Sequence, residues 1–305
     1  MKAQLLRGYG GVDQFDLADA PTPAAGAGEV RLRVRAVGLN PMDVKFRTGS
    51  LRDQMPLDLP AILGTDVAGE VLELGEGVDT LSVGDRVVGL ADSGAYAEQA
   101  LARAAVLAVI PGALTFEQAA TLPTAAETAR RVLGLLTPRP GETFLVSGAS
   151  GSVGSAAVQL LVRDGVRVIG TASPANHDYL RGLGADPVGY GPDLVQDVRA
   201  LAPDGVDGVF DVSGHDVVDA AIALRGGTDR IVTIADFAAG ARGVTVSSGD
   251  SSAITASDFG PVLELAASGD FATEVEATFA FTDLPAAHRR MEDGHARGKI
   301  VLEGP

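Results

Sequence analysis

Thr143-Phe-Leu-Val-Ser-Gly-Ala-Ser-Gly-Ser-Val-Gly154 decides how this chain is read. Phe144, Leu145 and Val146 form a short apolar, β-prone run of the kind that makes a buried parallel strand. Gly148, Gly151 and Gly154 follow at spacings of three. Val153, Ala156, Ala157, Leu160 and Leu161 then recur at helical period, so a helix opens inside the glycine loop. Strand, glycine turn and helix in this order leave unpaired backbone N–H groups at a positive helix end, where a diphosphate is held. Gly151 lets the backbone approach that anion, and Gly154 lets the helix pack closely on the strand. The spacing, G-x-x-G-x-x-G, is looser than the usual G-x-G-x-x-G fingerprint, and the alternative reading is an ordinary tight βα turn.

Outward from this stretch, the C-terminal half alternates strand and helix. Val166 to Thr171 is a second strand, followed by a helix around residues 178–182; 208–212 and 230–234 are later strands. Strands separated by helical segments imply a doubly wound parallel sheet, with a nucleotide across the carboxyl ends of its strands. Gly214 and Ala235-Asp236 fall where such a ligand passes. After the second strand, Gly170-Thr-Ala-Ser173 carries no acid, whereas an NAD site has one there, roughly 20 residues past the first glycine. With nothing to repel a 2′-phosphate and Ser173 able to donate to it, NADP is favoured; His177 and Arg181 are the nearby cations.

The N-terminal part is β-rich. Val30-Arg-Leu-Arg-Val-Arg-Ala-Val37 alternates apolar and charged residues, and 67–74 and 86–90 are further strands between glycine turns. Helical periodicity begins near Thr115, a plausible N-cap. Beyond residue 270 the chain returns to a β-like 278–281, a helical 284–291 and a final strand, Lys299-Ile-Val-Leu302. The expected domains are therefore residues 1–117, 118–270 and a return to the first over 271–305.

Composition excludes several classes. A net charge of −16 opposes binding to nucleic acid. With 46% hydrophobic and 21% charged residues and no run approaching the ~20 apolar residues of a membrane span, the chain reads as soluble. It has no cysteine, which removes disulfides and thiolate zinc sites and fits a cytoplasmic location; its N-terminus lacks a signal-peptide core. The histidines at 177, 215, 288 and 295 show no spacing for a tetrahedral metal site. Lys2, Lys45 and Lys299 are the only lysines, so Lys45, inside the 38–49 segment, calls for a reason.

These pieces together resemble the medium-chain dehydrogenase/reductase superfamily, in its zinc-independent quinone oxidoreductase and enone reductase branch. The carriers are Gly38-Leu-Asn-Pro-Met-Asp-Val-Lys-Phe-Arg-Thr-Gly49, Leu63-Gly-Thr-Asp-Val-Ala-Gly-Glu-Val71, Ser82-Val-Gly-Asp-Arg-Val-Val-Gly89, Gly94-Ala-Tyr-Ala-Glu98, Leu122-Pro-Thr-Ala-Ala-Glu-Thr-Ala129 and Gly294-His-Ala-Arg-Gly-Lys-Ile-Val-Leu302. The resemblance implies a GroES-like β-rich catalytic domain built from both chain ends and a Rossmann domain between them, with the active site in the cleft and a homodimeric assembly. It implies that Asn40, Thr128, the glycine loop (Ser150, Gly151, Ser152, Val153 and Gly154) and the carboxyl ends of the later strands (Val212, Ser213, Ile234 and Ala235) touch NADPH.

Departures from the family pattern bear on the chemistry. Zinc-dependent relatives carry Cys where Asn40 stands and a His–Glu pair where Thr65-Asp66 stands, so no metal is expected. Many quinone reductases have Tyr where Lys45 stands, and Lys there resembles the enone-reducing members. The lysine that many relatives place near Asn176 for the 2′-phosphate is missing. The reaction implied is hydride transfer from NADPH to a small electrophile, a quinone or the β-carbon of an enone, with Lys45 and Asn40 as candidate donors to the developing oxyanion. Asn40 ahead of Pro41 also reads as a turn-capping residue and Lys45 as a solvated lysine on a turn. Asp43 and Asp66 read as backbone-bonding residues. Two other functions remain open, an auxiliary enoyl reductase of a biosynthetic pathway and a non-enzymatic NADPH-binding protein.

Overall fold

Phe144, Leu145 and Val146 are fully buried, as an apolar run must be when both faces of its sheet are covered. In the computed structural model, which describes residues 1–214, 217–294 and 296–305, they form the central strand Thr143–Ser147 of a six-stranded sheet. The sheet order is Asp186–Val188, Arg167–Thr171, Thr143–Ser147, Gly208–Asp211, Ile231–Thr233 and Thr245–Val246, every neighbouring pair parallel. In chain order this is 3-2-1-4-5-6, the doubly wound arrangement, whose direction reverses beside the Thr143–Ser147 strand. Val212 and Ile234 lie just past the strands Gly208–Asp211 and Ile231–Thr233, rather than inside them as their sequence suggests.

The chain divides into two units, Met1–Thr124 with Ile254–Pro305, and Ala125–Ala253. The crossings thus fall after residue 124 rather than 117, and before 254 rather than after 270. Physical reasons are local. The short helix Phe116–Ala120 packs so tightly on the first unit's sheet that a Cβ on Gly38 would lie 2.3 Å from the Ala120 carbonyl oxygen. Ile254 packs against the first unit's core.

That unit carries a seven-stranded sheet around Glu29–Gly38, where Val30, Leu32 and Val34 are buried and the intervening arginines meet Glu70 and Glu73. The C-terminal strand Lys299–Glu303 pairs antiparallel with Glu29–Gly38 and parallel with Val275–Phe279, so both chain ends build one sheet.

The segment read as a turn around Asn40 and Lys45 is a helix, Pro41–Thr48. Its signals are local: Asn40 at the N-cap, Pro41 in the first turn, Asp43 accepting the Asn40 N–H at 2.8 Å, and Gly49 closing it at φ 78°. No helix among the described residues is long and apolar enough to cross a membrane.

Candidate functional site

The glycine loop divides its three glycines by task. Gly148 turns the chain at φ 72°, its N–H donating to Thr171 Oγ1 at 2.9 Å. A Cβ on Gly154 would lie 2.2 Å from the Gly148 oxygen and 2.8 Å from the Ala149 Cα, so the helix Ser152–Arg163 reaches the strand only with glycine there. Gly151 is different. It caps that helix at φ −73°, ψ 173°, a conformation open to any residue, and an added Cβ would meet only the Gly148 oxygen, at 3.7 Å. The protein's own packing does not require glycine at 151; what its missing side chain leaves is room in front of the helix N-terminus. Ser152 and Val153 open the helix, where backbone N–H groups have no intrahelical acceptor. The loop therefore fits a diphosphate.

Neighbouring strand ends complete the cradle. Asn176 Nδ2 donates to Ser150 Oγ at 3.3 Å, tying the loop after the second strand to the glycine loop. Ser173 is half-buried at the start of the Pro174–Asn176 turn, and the His177 ring reaches the Ala172 carbonyl at 3.3 Å. Arg181 is paired with Asp178 at 2.6 Å. Across the sheet, buried Asp211 accepts the N–H groups of Ser213 and Gly214 at 3.1 and 3.0 Å and the Thr233 hydroxyl at 2.8 Å. Thr233 Oγ1 in turn accepts the N–H groups of Ala235 and Asp236 at 3.1 and 3.0 Å. This relay fixes the loops that carry Val212, Ser213, Ile234 and Ala235. Asp211 and Thr233 were legible only as strand residues.

Thr128, also expected at the cofactor, lies in this unit on a different element. It lies on the helix Pro123–Leu136, donates to Glu127 at 3.1 Å, and its neighbour Arg131 binds Glu127 and Ser247, beyond the edge strand.

In the first unit, Asn40, Asp66 and Lys299 meet in the interior at 7%, 0% and 2% exposure. The Lys299 ammonium donates to Asn40 Oδ1 at 2.6 Å and to Asp66 Oδ2 at 2.7 Å. Asn40 Nδ2 donates to Asp66 at 3.1 Å and, at 3.5 Å, to the Gly38 carbonyl. Thr124 closes the far side of Asp66 through its N–H, at 3.1 Å, and its hydroxyl. Asp66 is thus more than the backbone-bonding residue expected; it is half of a buried ion pair. Losing one partner of such a pair costs about 3–5 kcal/mol, because the other charge is stranded.

Lys45 is not part of this cluster. Asp43 and Arg47, four residues apart, mark the buried face of their helix, and half-buried Lys45 falls between them on the other side. Beneath the helix, burial pushes the Asp43 carboxyl up to about 6, with the Asn40 N–H pulling the other way. Burial and then the Asp43 charge hold the Tyr96 phenol well above its usual range; its hydroxyl feels that carboxylate without reaching hydrogen-bond geometry. His215 and His295 lie outside the described residues.

A β-rich unit built from both chain ends and a doubly wound nucleotide-type unit define a two-unit dehydrogenase. Residues 26–125 match the alcohol dehydrogenase GroES-like domain and 183–302 the zinc-binding dehydrogenase domain. The chain is 33% identical over 317 residues to the NADPH-dependent alkenal/one oxidoreductase of Arabidopsis thaliana, covering 99% of this chain and 79% of that protein. It is 41% identical over 222 residues to the synaptic vesicle membrane protein VAT-1 homolog of Rattus norvegicus, covering 70% of this chain and 54% of that longer protein. The quinone oxidoreductase of Coxiella burnetii superposes at a TM-score of 0.88 with 30% identity, covering 100% of this chain and 99% of that one. The chain belongs to the medium-chain dehydrogenase/reductase superfamily.

Proposed function

We propose that this chain is an NADPH-dependent oxidoreductase that reduces a small electrophile, a quinone or the β-carbon of an α,β-unsaturated carbonyl. The observation that carries the reading is the room kept in front of the helix N-terminus by Gly151, which the protein's own packing does not demand. The names of the Arabidopsis and Coxiella relatives support the choice of electrophile.

When bound, the nicotinamide supplies hydride. The residues of this chain bind and orient. The N–H groups of Ser152 and Val153 would hold the diphosphate, and Gly148 and Gly154 fix the loop that presents them. Ser173 would take the adenosine ribose, where the 172–177 stretch has no carboxylate to oppose a 2′-phosphate. The Asp211–Thr233 relay sets the loops at 212–214 and 234–236. As an enolate or quinol oxyanion develops on the electrophile, a preorganised cation lowers the barrier, and Lys45 is assigned that role. Asn40, whose amide donors are directed to Asp66 and Gly38, is assigned a positioning role instead of an oxyanion contact.

The test is NADPH oxidation with a quinone and with a simple enone, beside a direct binding titration. Turnover with either electrophile is expected. Tight NADPH binding with turnover of neither would replace the enzyme by a cofactor-binding protein.

A further inference from the structure

The description of the second matching family names zinc, and the resemblance puts zinc ligands at Asn40 and Thr65-Asp66, yet the residues here do not fit a metal. Among the described residues, no three His, Cys, Asp or Glu side chains converge on a point where an ion could sit. Asn40 Oδ1 and Asp66 Oδ2 do converge, at 2.6 and 2.7 Å, but on the Lys299 ammonium. From these contacts we infer that Lys299 is the resident cation of this unit, an ammonium supplied by the C-terminal strand in the place a metal would take.

The surroundings are built for one positive charge. Among the described residues, Asp66 carries the single negative charge in direct contact with the ammonium, and its remaining oxygen is filled by Thr124. The Lys299 stem crosses bare backbone at Gly38, where a Cβ would lie 2.8 Å from Lys299 Cε. The stem is thereby threaded to a fixed end point at 2% exposure. A divalent ion would need the same two oxygens and would face the ammonium at contact distance, where like charges repel. The same contacts turn the Asn40 carboxamide so that its oxygen meets Lys299 and its nitrogen meets Asp66. The inference stands whether or not the chain reduces quinones or enones.

The test compares the full chain with Lys299→Met, Asp66→Asn and the double variant, by thermal melting and by metal analysis with and without added zinc. Wild type is expected to hold no Asp66-dependent zinc and to melt unchanged when zinc is added. Lys299→Met is expected to melt about 10 °C lower, the scale of a stranded buried charge. Zinc should leave its melting temperature where it is, because Asp66 and Asn40 alone offer too few ligands for a divalent ion. The double variant should recover most of the loss and ignore zinc. If Lys299→Met does not fold, the double variant decides: folding supports the inference and failure overturns it. Stoichiometric, Asp66-dependent zinc in wild type would overturn it, as would a Lys299→Met chain that melts with wild type.

Discussion

His288 stands edge-on to Phe15, ring centroids 4.8 Å apart at 63°, and among the described residues neither imidazole nitrogen has a hydrogen-bond partner. Tyr96 lies 5.8 Å away on another side, so the imidazole is packed as an aromatic ring in a fully buried aromatic cluster. Burial, and then the Arg47 charge, pull its pKa from 6.5 down to about 3.

The pH dependence follows from the sign of that shift. Below about 6.5 the unfolded imidazole binds a proton that the folded one refuses until about 3, so acidification through this window favours unfolding. Asp43 acts oppositely: its folded carboxyl takes a proton near 6 and its unfolded one near 3.8, so acidification from 6 toward 4 adds stability. The two effects offset, leaving the pH dependence of wild type flatter than either effect alone would make it. His288→Leu removes the first. Between pH 6.5 and 5 it should gain about 2 kcal/mol on wild type, at about 1.4 kcal/mol per pH unit. Urea unfolding at pH 8, 6.5 and 5 checks this; a constant difference would show that His288 charges in place.

Gly151→Val and Gly154→Val should separate binding from folding. At 151 the backbone is ordinary and the space open, so the chain should fold and its NADPH dissociation constant should rise at least about a hundredfold, some 2.7 kcal/mol. At 154 even the first side-chain carbon would sit 2.2 Å from the Gly148 oxygen, and stability should fall by about 3 kcal/mol or more. Calorimetry and melting curves distinguish the two. Normal NADPH affinity in folded Gly151→Val would make the loop a plain turn.

Cofactor choice is tested at Ser173. Asp placed at either 172 or 173 supplies the missing acid, but Ala172 is buried and a carboxylate there would be desolvated, so Ser173→Asp is the informative change. It should shift the NADPH-to-NADH preference toward NADH by roughly one to two orders of magnitude, about 1.4 kcal/mol per tenfold. A wild type that binds NADH more tightly would contradict the assignment outright.

Lys45→Met should lower turnover with an enone by roughly one to three orders of magnitude, the scale of losing one oxyanion donor. Its position on the half-buried side of the Pro41–Thr48 helix predicts a stability change within about 1 kcal/mol. Lys45→Arg should not fully restore the rate, since a planar guanidinium replaces a compact ammonium. Wild-type rates in Lys45→Met would return this lysine to solvent.

What the sequence determined by itself is what local backbone chemistry determines. The apolar run at 144–146, the glycines and the helical period after them specify strand, turn and helix, because each depends on residues within a few positions. Asn40, Pro41, Asp43 and Gly49 carried an equally local helix signal; reading Asn40-Pro41 as a turn concealed it. Tertiary structure alone decided the interior of the first unit. Asn40 and Lys299 are 259 residues apart and meet only because the last strand pairs with Glu29–Gly38. The scarcity of lysine drew attention to Lys45, and the same scarcity applied to Lys299, which is followed in its strand by the apolar run Ile300, Val301 and Leu302. A buried charge is tolerated only where its partner waits, and which carboxylate waits is settled by strand pairing, not by any pattern along the chain.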